Sequence, residues 1–553
     1  MQRYGLTVER FLDHAAKWHG AARVVGASAS AGTERVSYAQ LRERCQRLAA
    51  ALLEQGLRPA ERIATLAWNS LDHLAVSYAA MGAGLVCHTL NPRLSVTHLV
   101  EMVNQADDRW IAVGAGLQPL LQRLLALCPR IEAVLLLDGQ QWEGGERPTI
   151  TSYSIEEFLR RFGRVAPWAE KDEEAPAGLC FTSGTVGKPR GVLYTHRSNY
   201  LHTLRALQAD AIGLTATDTV LVAVPMFHAN GWGLQFAAPA VGASIVLPGR
   251  SAEPAHLAEL IVNERVTVAA AVQTVWLALA DHLDRTGGAL PTLRRILIGG
   301  SHCPEGLLRR LEERLAVRAQ TSWGMTELSP LGTIESPRVP AVSGQRASGR
   351  PPPGLDLKLV DADGVALSRQ RMTVGRLMVK GHSVAARYLG ESHDALDADG
   401  YFDTGDLALI DEEGNLTITG RAKDLIKSGG EWINPREIED IVGSLPDVAL
   451  AAVVGRAHPK WGERPVLVVE PRRAHSIGTD SLLGALRGKV PNWWLPDEVL
   501  TVTKMPLAAT GKIDKKRLRA ELGGAGGGEA VSRRFGAPVQ LPRPWWAARE
   551  GSD

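Results

Sequence analysis

The sequence predicts an α/β protein. Two layered α/β subdomains and a small β-rich subdomain make up a large N-terminal domain, and a small α+β C-terminal domain follows. Three observations predict this. The chain has 553 residues, well beyond the ~250–300 at which a single core stops growing, so several units are required. It is 45% apolar and 22% charged, an ordinary globular balance. Along most of its length, helical periodicity alternates with short apolar runs, the pattern of α/β layers with parallel pairing.

The elements follow in order. Tyr38 to Gly56 carries Leu41, Leu48, Leu52 and Leu53 as an apolar stripe and stops at a glycine, so it predicts a helix. Arg62 to Ala67 reads as a strand, Leu71 to Gly84 as a helix, and Val86 to Thr89 as a strand before the Asn91-Pro92 turn. Thr219 to Pro225, Ala243 to Leu247, Val268 to Ala271 and Arg295 to Ile298 repeat the logic as strands between helical stretches. The longer run Val266 to Ala280 reads as a buried helix, too short and too often interrupted for a membrane span of ~20 residues. From Gly354 to Val360 and Gly375 to Lys380 the pattern changes to short strands with Asp-Gly and Glu-Gly turns. Residues 420–425 form a charged hinge. Pro435 to Ser444, Val448 to Val454, Val466 to Glu470 and Ser481 to Val490 then make a compact α+β unit over 426–522. The expected division is 1–419, hinge 420–425, 426–522, and a tail from 523 to 553. The tail's Gly-rich start predicts disorder; its Trp545 and Trp546 could dock on the protein itself.

Composition excludes several classes. A net charge of +2 gives no basis for a nucleic-acid partner. The five cysteines (Cys45, Cys87, Cys128, Cys180 and Cys303) show no paired or zinc-type spacing. With no signal-peptide core in Met1 to Gly20, a reduced, cytoplasmic setting is expected.

One segment stands out chemically. Thr182, Ser183, Gly184, Thr185, Val186, Gly187, Lys188, Pro189 and Arg190 lie between strand-like Gly178 to Phe181 and Val192 to Tyr194. Small and hydroxylated residues let backbone N–H groups approach phosphate oxygens. It is not a Walker loop, because Lys188 is followed by Pro189 and then a strand. Alone it reads equally well as a hairpin turn. Further on come Ser322-Trp323-Gly324-Met325-Thr326-Glu327, Asp403-Thr404-Gly405-Asp406, Gly420-Arg421-Ala422-Lys423-Asp424, Lys427-Ser428-Gly429-Gly430-Glu431-Trp432 and Pro506-Leu507-Ala508-Ala509-Thr510-Gly511-Lys512. Singly, each has a plain reading: an Asx turn, a helix start, a surface lysine.

As an ordered set over residues 35–520, these motifs resemble the adenylate-forming superfamily of acyl-CoA synthetases, adenylation domains and luciferases. Within it, Val224-Pro225-Met226-Phe227-His228-Ala229-Asn230-Gly231-Trp232 is most similar to bacterial medium- and long-chain fatty-acyl-CoA synthetases. The resemblance implies three N-terminal subdomains, a mobile C-terminal domain, and two half-reactions: carboxylate attack on ATP to give acyl-adenylate and pyrophosphate, then attack by the CoA thiol.

It also implies roles. Thr182 and Glu327 would hold Mg2+, a hard ion suited to oxygen ligands. Thr326 would meet the α-phosphate and Asp406 the ribose diol. Gly300, Ser301, Thr321, Ser322 and Trp323 would wall the adenine, with Trp323 offering a flat face. Arg421 would reach ribose or phosphate, and Lys423 would sit at the hinge. Lys427 and Trp432 match nucleotide- or linker-contacting positions; Gly429, Gly430 and Glu431 lie on the CoA side. Trp232 would close an acyl tunnel, with His228 beside it. On sequence alone a core position reads nearly as well for Trp232 and equally well for His228. Lys512 would bridge carboxylate and phosphate in the first step. Two departures stand out: Val186 where a hydroxyl or small residue is usual, and Arg190 where lysine is usual. The expected partners are a fatty acid, ATP and CoA, with a homodimer and a peripheral membrane encounter. Aryl- or short-chain acids, or a weakened nucleotide-binding protein, stay open as alternatives.

Overall fold

The computed structural model describes residues 1–2, 4–28, 32–143, 150–182, 188–338, 347–472, 477–523 and 539–540. The large domain is built on two sheets. In the seven-stranded one the order is Thr151–Ser154, Ala133–Leu136, Trp110–Val113, Arg62–Leu66, Val86–Leu90, Pro176–Thr182, Arg190–Thr195. All pairs are parallel except the last. The eight-stranded sheet runs Leu331–Ile334, Arg318–Gly324, Arg295–Ile298, Val268–Ala271, Thr219–Val222, Ser244–Leu247, Arg23–Ser28, Gly32–Ser37. Its five central strands and Arg23–Ser28 pair in parallel, and both edges are antiparallel. Central strands such as Val86–Leu90 are buried at every position, as a sheet covered on both faces requires.

The helices Glu9–Trp18, Tyr38–Glu54, Leu71–Gly82 and Leu234–Val241 fill the space between the sheets in one core. Ser37 starts Tyr38–Glu54 with a reciprocal capping box to Gln40, satisfying two N-terminal donors. Val96–Ala106 and Gln118–Leu125 cover the outer face of the first sheet. Pro254–Asn263, Gln273–Thr286 and Glu305–Leu315 cover the second. The result is five layers, αβαβα. The expected helix over Val266 to Ala280 is corrected here: Val268–Ala271 is a central strand, and the helix starts only at Gln273.

A four-stranded antiparallel sheet of Leu355–Val360, Val374–Gly381, Phe402–Ile410 and Leu416–Arg421 forms the β-rich unit. Past a single turn at Ala422–Asp424, the small domain wraps Pro435–Gly443, Thr479–Leu486 and Lys515–Gly523 around a sheet whose long hairpin is Val448–His458 and Gly462–Pro471. Separate apolar clusters lie on its two faces. Of the tail, only Val539–Gln540 is described, as a short strand on Glu498–Thr501. No helix among the described residues is long and apolar enough to cross a membrane.

Candidate active site

One cleft of about 1590 Å³ lies where the large domain, the β-rich unit and the small domain meet. Strand ends and the loops after them line it: Thr182, Lys188, Gly300, Ser301, Ser322 to Glu327, Arg421 and, from the small domain, Thr510 to Asp514.

Lys512 enters from the small domain. Its loop docks through Thr274, whose hydroxyl donates to the Gly511 carbonyl at 3.3 Å. Its stem lies on Gly300, where an added Cβ would sit 3.3 Å from Lys512 Cε and 3.4 Å from Val272 Cγ1. Gly300 also has φ +82, a left-handed backbone that favours glycine. Burial, reinforced by repulsion from Arg421 and partly opposed by Asp406, brings the Lys512 ammonium down to about 8.

Asp406 is 4% exposed and grips two partners from different elements. Trp323 Nε1–H donates to Oδ2 at 2.8 Å, and Arg421 Nε lies 3.0 Å from Oδ1. Asp406 and Arg421 are cross-strand partners, which places the charges opposite each other. Trp323 lines the cleft with little of its ring open. It is 7% exposed, its ring packs on Gly332 where a Cβ would lie 2.3 Å away, and its polar edge is spent on Asp406.

Glu327 is also buried, at 6% exposure, just after Thr326 in a single 3-10 turn. Tyr388 donates to its Oε1 at 2.7 Å, and Tyr194 donates to the Thr326 carbonyl at 2.8 Å. Burial raises the Glu327 carboxyl above its ordinary value despite Tyr388, Arg421 and Arg190 nearby. Arg190 stacks its guanidinium 4.8 Å over the Tyr388 ring. Thr182 ends its strand with its hydroxyl 3.5 Å from the Arg190 carbonyl, and Lys188 is exposed at the cleft rim. Ser183, Gly184, Thr185, Val186 and Gly187 lie outside the described residues. Thr321 and Ser322 are part-buried, donating to the carbonyls of Ala347 at 3.2 Å and Ile298 at 3.1 Å.

Trp232 sits on an unusual backbone. Ala229, Asn230, Gly231, Trp232 and Gly233 all have positive φ, from 44 to 76, making a left-handed turn. It presses the indole on Gly299, where a Cβ would be 2.9 Å from the ring. Trp232 and Lys512 thus both approach Gly300, where an added Cβ would lie 3.8 Å from Trp232 Cζ2 and 3.3 Å from Lys512 Cε. His228 opens the turn, and burial together with the Lys512 charge holds it neutral, down to about 4.

Residues 11–389 match the model of the AMP-binding enzyme family, and 437–512 match the AMP-binding enzyme C-terminal domain. The chain belongs to the AMP-binding enzymes. This AMP-binding enzyme is 38% identical to a medium-chain-fatty-acid–CoA ligase of Ectopseudomonas oleovorans, covering 95% of this chain and 97% of that one. It is 39% identical to a 3-methylmercaptopropionyl-CoA ligase of Ruegeria pomeroyi (93% and 97% covered). A long-chain-fatty-acid–CoA ligase of Thermus thermophilus is 37% identical (92% and 94% covered). Its fold matches that of an anthranilate CoA ligase bound to anthranoyl-AMP with a TM-score of 0.84 at 21% identity, over 94% of this chain and 98% of that one. It is an ATP-dependent acyl-CoA synthetase of the adenylate-forming superfamily, with the expected large and small domains.

Not every residue singled out in the synthetase's sequence reaches the cleft. Lys427, Gly429, Gly430 and Glu431 are exposed and outside its lining, because their hairpin faces away while Lys512 points in. Lys427 Nζ lies 5.5 Å over the Trp432 ring, and Trp432, 52% exposed, reaches only the cleft edge. Lys423, exposed in the turn between domains, does line the cleft. Gly429 is thin for a reason internal to the small domain: a Cβ there would lie 2.7 Å from the Trp461 ring. Sequence reading missed Tyr388, Tyr194 and Thr274. No motif contains Tyr388 or Thr274, and Tyr194 was noticed only as the end of a strand.

Proposed function

We propose that the chain is a fatty-acid–CoA ligase acting through an acyl-adenylate. The observation supporting this is an apolar part of the cleft lining, Ile212, Leu234, Leu297, Leu331 and Ile334, which clusters with Trp232 and suits an alkyl chain. The fatty-acid–CoA ligases among the relatives support the same class.

In the first step the acid's carboxylate attacks the α-phosphorus, the bond to pyrophosphate breaks, and both reactants are anions. Lys512 neutralises them, its ammonium shared between carboxylate and phosphate. Asp406, pre-aimed by Trp323 and Arg421, receives the ribose hydroxyls, and Thr326 meets the phosphate. Glu327 fits a magnesium site: it is a buried carboxylate with no ion pair among the described residues, and Mg2+ is usually held by one or two carboxylates plus substrate phosphates. Glu327 with Thr182 would hold the ion, which when bound screens phosphate charge. In the second step the small domain swings about Lys423, withdrawing Lys512 and bringing the Gly429–Gly430 hairpin to the acyl group for CoA. A homodimer through the large domain and a cytoplasmic setting with transient membrane contact complete the proposal.

The test is acid-dependent pyrophosphate release, then thioester formation, across straight-chain acids of increasing length, an aryl acid and 3-methylmercaptopropionate. Medium or long chains should give the highest kcat/KM. A second reading, short heteroatom-bearing acids, is favoured by the 39% identical relative named for 3-methylmercaptopropionyl-CoA. It replaces the first if that acid is preferred.

A further inference from the structure

The Lys512 loop itself is held lightly. Apart from its packing on Val272 and Gly300, it meets the large domain through the 3.3 Å bond from Thr274 and a 3.5 Å bond from Arg93 to the Ala509 carbonyl, both long for hydrogen bonds. Firmer contacts between the domains are made by other residues, of which His302, Pro304, Asp440 and Gly443 line the same cleft. The C-terminal end of Pro435–Gly443 abuts the N-terminal end of Glu305–Leu315, with opposite dipole ends facing. The approach is close. A Cβ on Gly306 would lie 2.7 Å from the Ser444 carbonyl oxygen, and one on Gly443 would lie 2.9 Å from Pro304 Cγ.

Charged arms flank this junction. His302 Nε2 is 2.5 Å from Asp440 Oδ1, while Arg436 donates to His302 Nδ1. Because Nδ1 accepts, the proton of the neutral ring sits on Nε2, the nitrogen beside the Asp440 carboxylate. On the far flank Arg472 is fixed to its own domain by bonds to the carbonyls of Pro446 (2.9 Å) and Val448 (3.1 Å). Its free arm reaches Asp281 at 3.3 Å, and Asp281 is held in turn by Arg310 at 2.5 Å. None of these groups contacts the Lys512 loop.

We propose that His302, Asp281 and Arg310 on the large domain, with Asp440, Arg436 and Arg472 on the small one, form an interdomain latch. It positions Lys512 for adenylate formation and must part before thioester formation. These are positioning residues, and the assignment rests on the two-step reading above. In the latched pose the Gly429–Gly430 hairpin is outside the cleft, so any pose that brings it in must separate the latch partners. The pairs are partly exposed, so each contributes little and several together are needed.

The test is the double variant His302→Ala/Arg472→Met, assayed for first-turnover pyrophosphate release and, separately, for thioester formation from pre-made acyl-adenylate and CoA. Release should fall about three- to tenfold, the effect of two partly exposed pairs. Thioester formation should hold or rise. Tryptic cleavage after Arg421 and Lys423 should quicken as the hinge opens. Equal losses in both half-reactions, or unchanged release with unchanged cleavage, overturn the latch. If the double variant melts early, His302→Gln and Arg472→Lys, read by the same ratio, decide. A parent protein that makes adenylate but no thioester rejects the ligase reading, and the latch is then judged by release and hinge cleavage.

Discussion

Lys512 supplies the sharpest test of how the cleft works. Its ammonium is brought down to about 8 by enclosure between the domains and by the Arg421 charge, from a usual value near 10.5. Only the protonated form can neutralise two anions. The sign follows: a cation whose proton is lost more easily loses function as pH rises, so adenylation declines through pH 8 rather than above 10. One pH unit beyond the midpoint leaves about one tenth of the ammonium, so kcat/KM for ATP should be about tenfold below its plateau. Arg421→Met removes the repulsion, so the limb should move to higher pH even though nucleotide binding weakens. Lys512→Ala should remove the limb and lower adenylation by about 10²–10³, the cost of a pre-positioned electrostatic group. The assay is initial pyrophosphate release at saturating acid from pH 6 to 10. A flat profile in the parent protein, or a limb that persists in Lys512→Ala, refutes the reasoning.

Three further outcomes follow from the same geometry. Gly300→Ala places a methyl 3.3 Å from Lys512 Cε at φ +82, so it should cost about 1–2 kcal/mol in thermal stability and slow adenylation more than it weakens ATP binding. Trp323→Phe removes the donor to buried Asp406, a hydrogen bond to a charged group worth about 1.5–3 kcal/mol. KM for ATP should rise at least tenfold with the thioester step spared. Tyr388→Phe removes a bond that favours the ionised Glu327, so the carboxyl rises further. Fewer molecules then carry the carboxylate at low pH, and the Mg2+ concentration for half-maximal rate should increase, most at the acid end of the profile.

How much of this could be read from the sequence depends on the distance over which a signal acts. Periodicity gave Tyr38–Glu54 and the strand Arg62–Leu66, because an apolar stripe and its capping residues are local. It failed over Val266 to Ala280, where a run of small and apolar residues suits a buried strand and a buried helix alike. Asp403 to Asp406 alone looks like a turn, yet it lies in the strand Phe402–Ile410, where Asp406 faces Arg421. The ordered motifs supplied the functional class and the residues of the Trp323–Asp406–Arg421 set, while other contacts came from outside them. Tyr388 reaches Glu327 across 61 residues, and Trp232 meets Gly299 through tertiary packing. The packing of Gly332 on the Trp323 ring is likewise a contact that nothing near Trp323 in the sequence reveals.

The left-handed turn at Ala229–Gly233 sets a limit on redesign. Ala229 and Trp232 each sit about 1–2 kcal/mol above their relaxed conformations, with Asn230 somewhat less. That sum is a noticeable share of the 5–15 kcal/mol by which a fold typically survives. An engineer seeking heat resistance would be drawn to glycine at 229, where no side-chain hydrogen bond is lost, and the melting point should climb. The same exchange would loosen the pedestal under the indole, so the sturdier protein would hold Trp232 less firmly where it lines the cleft.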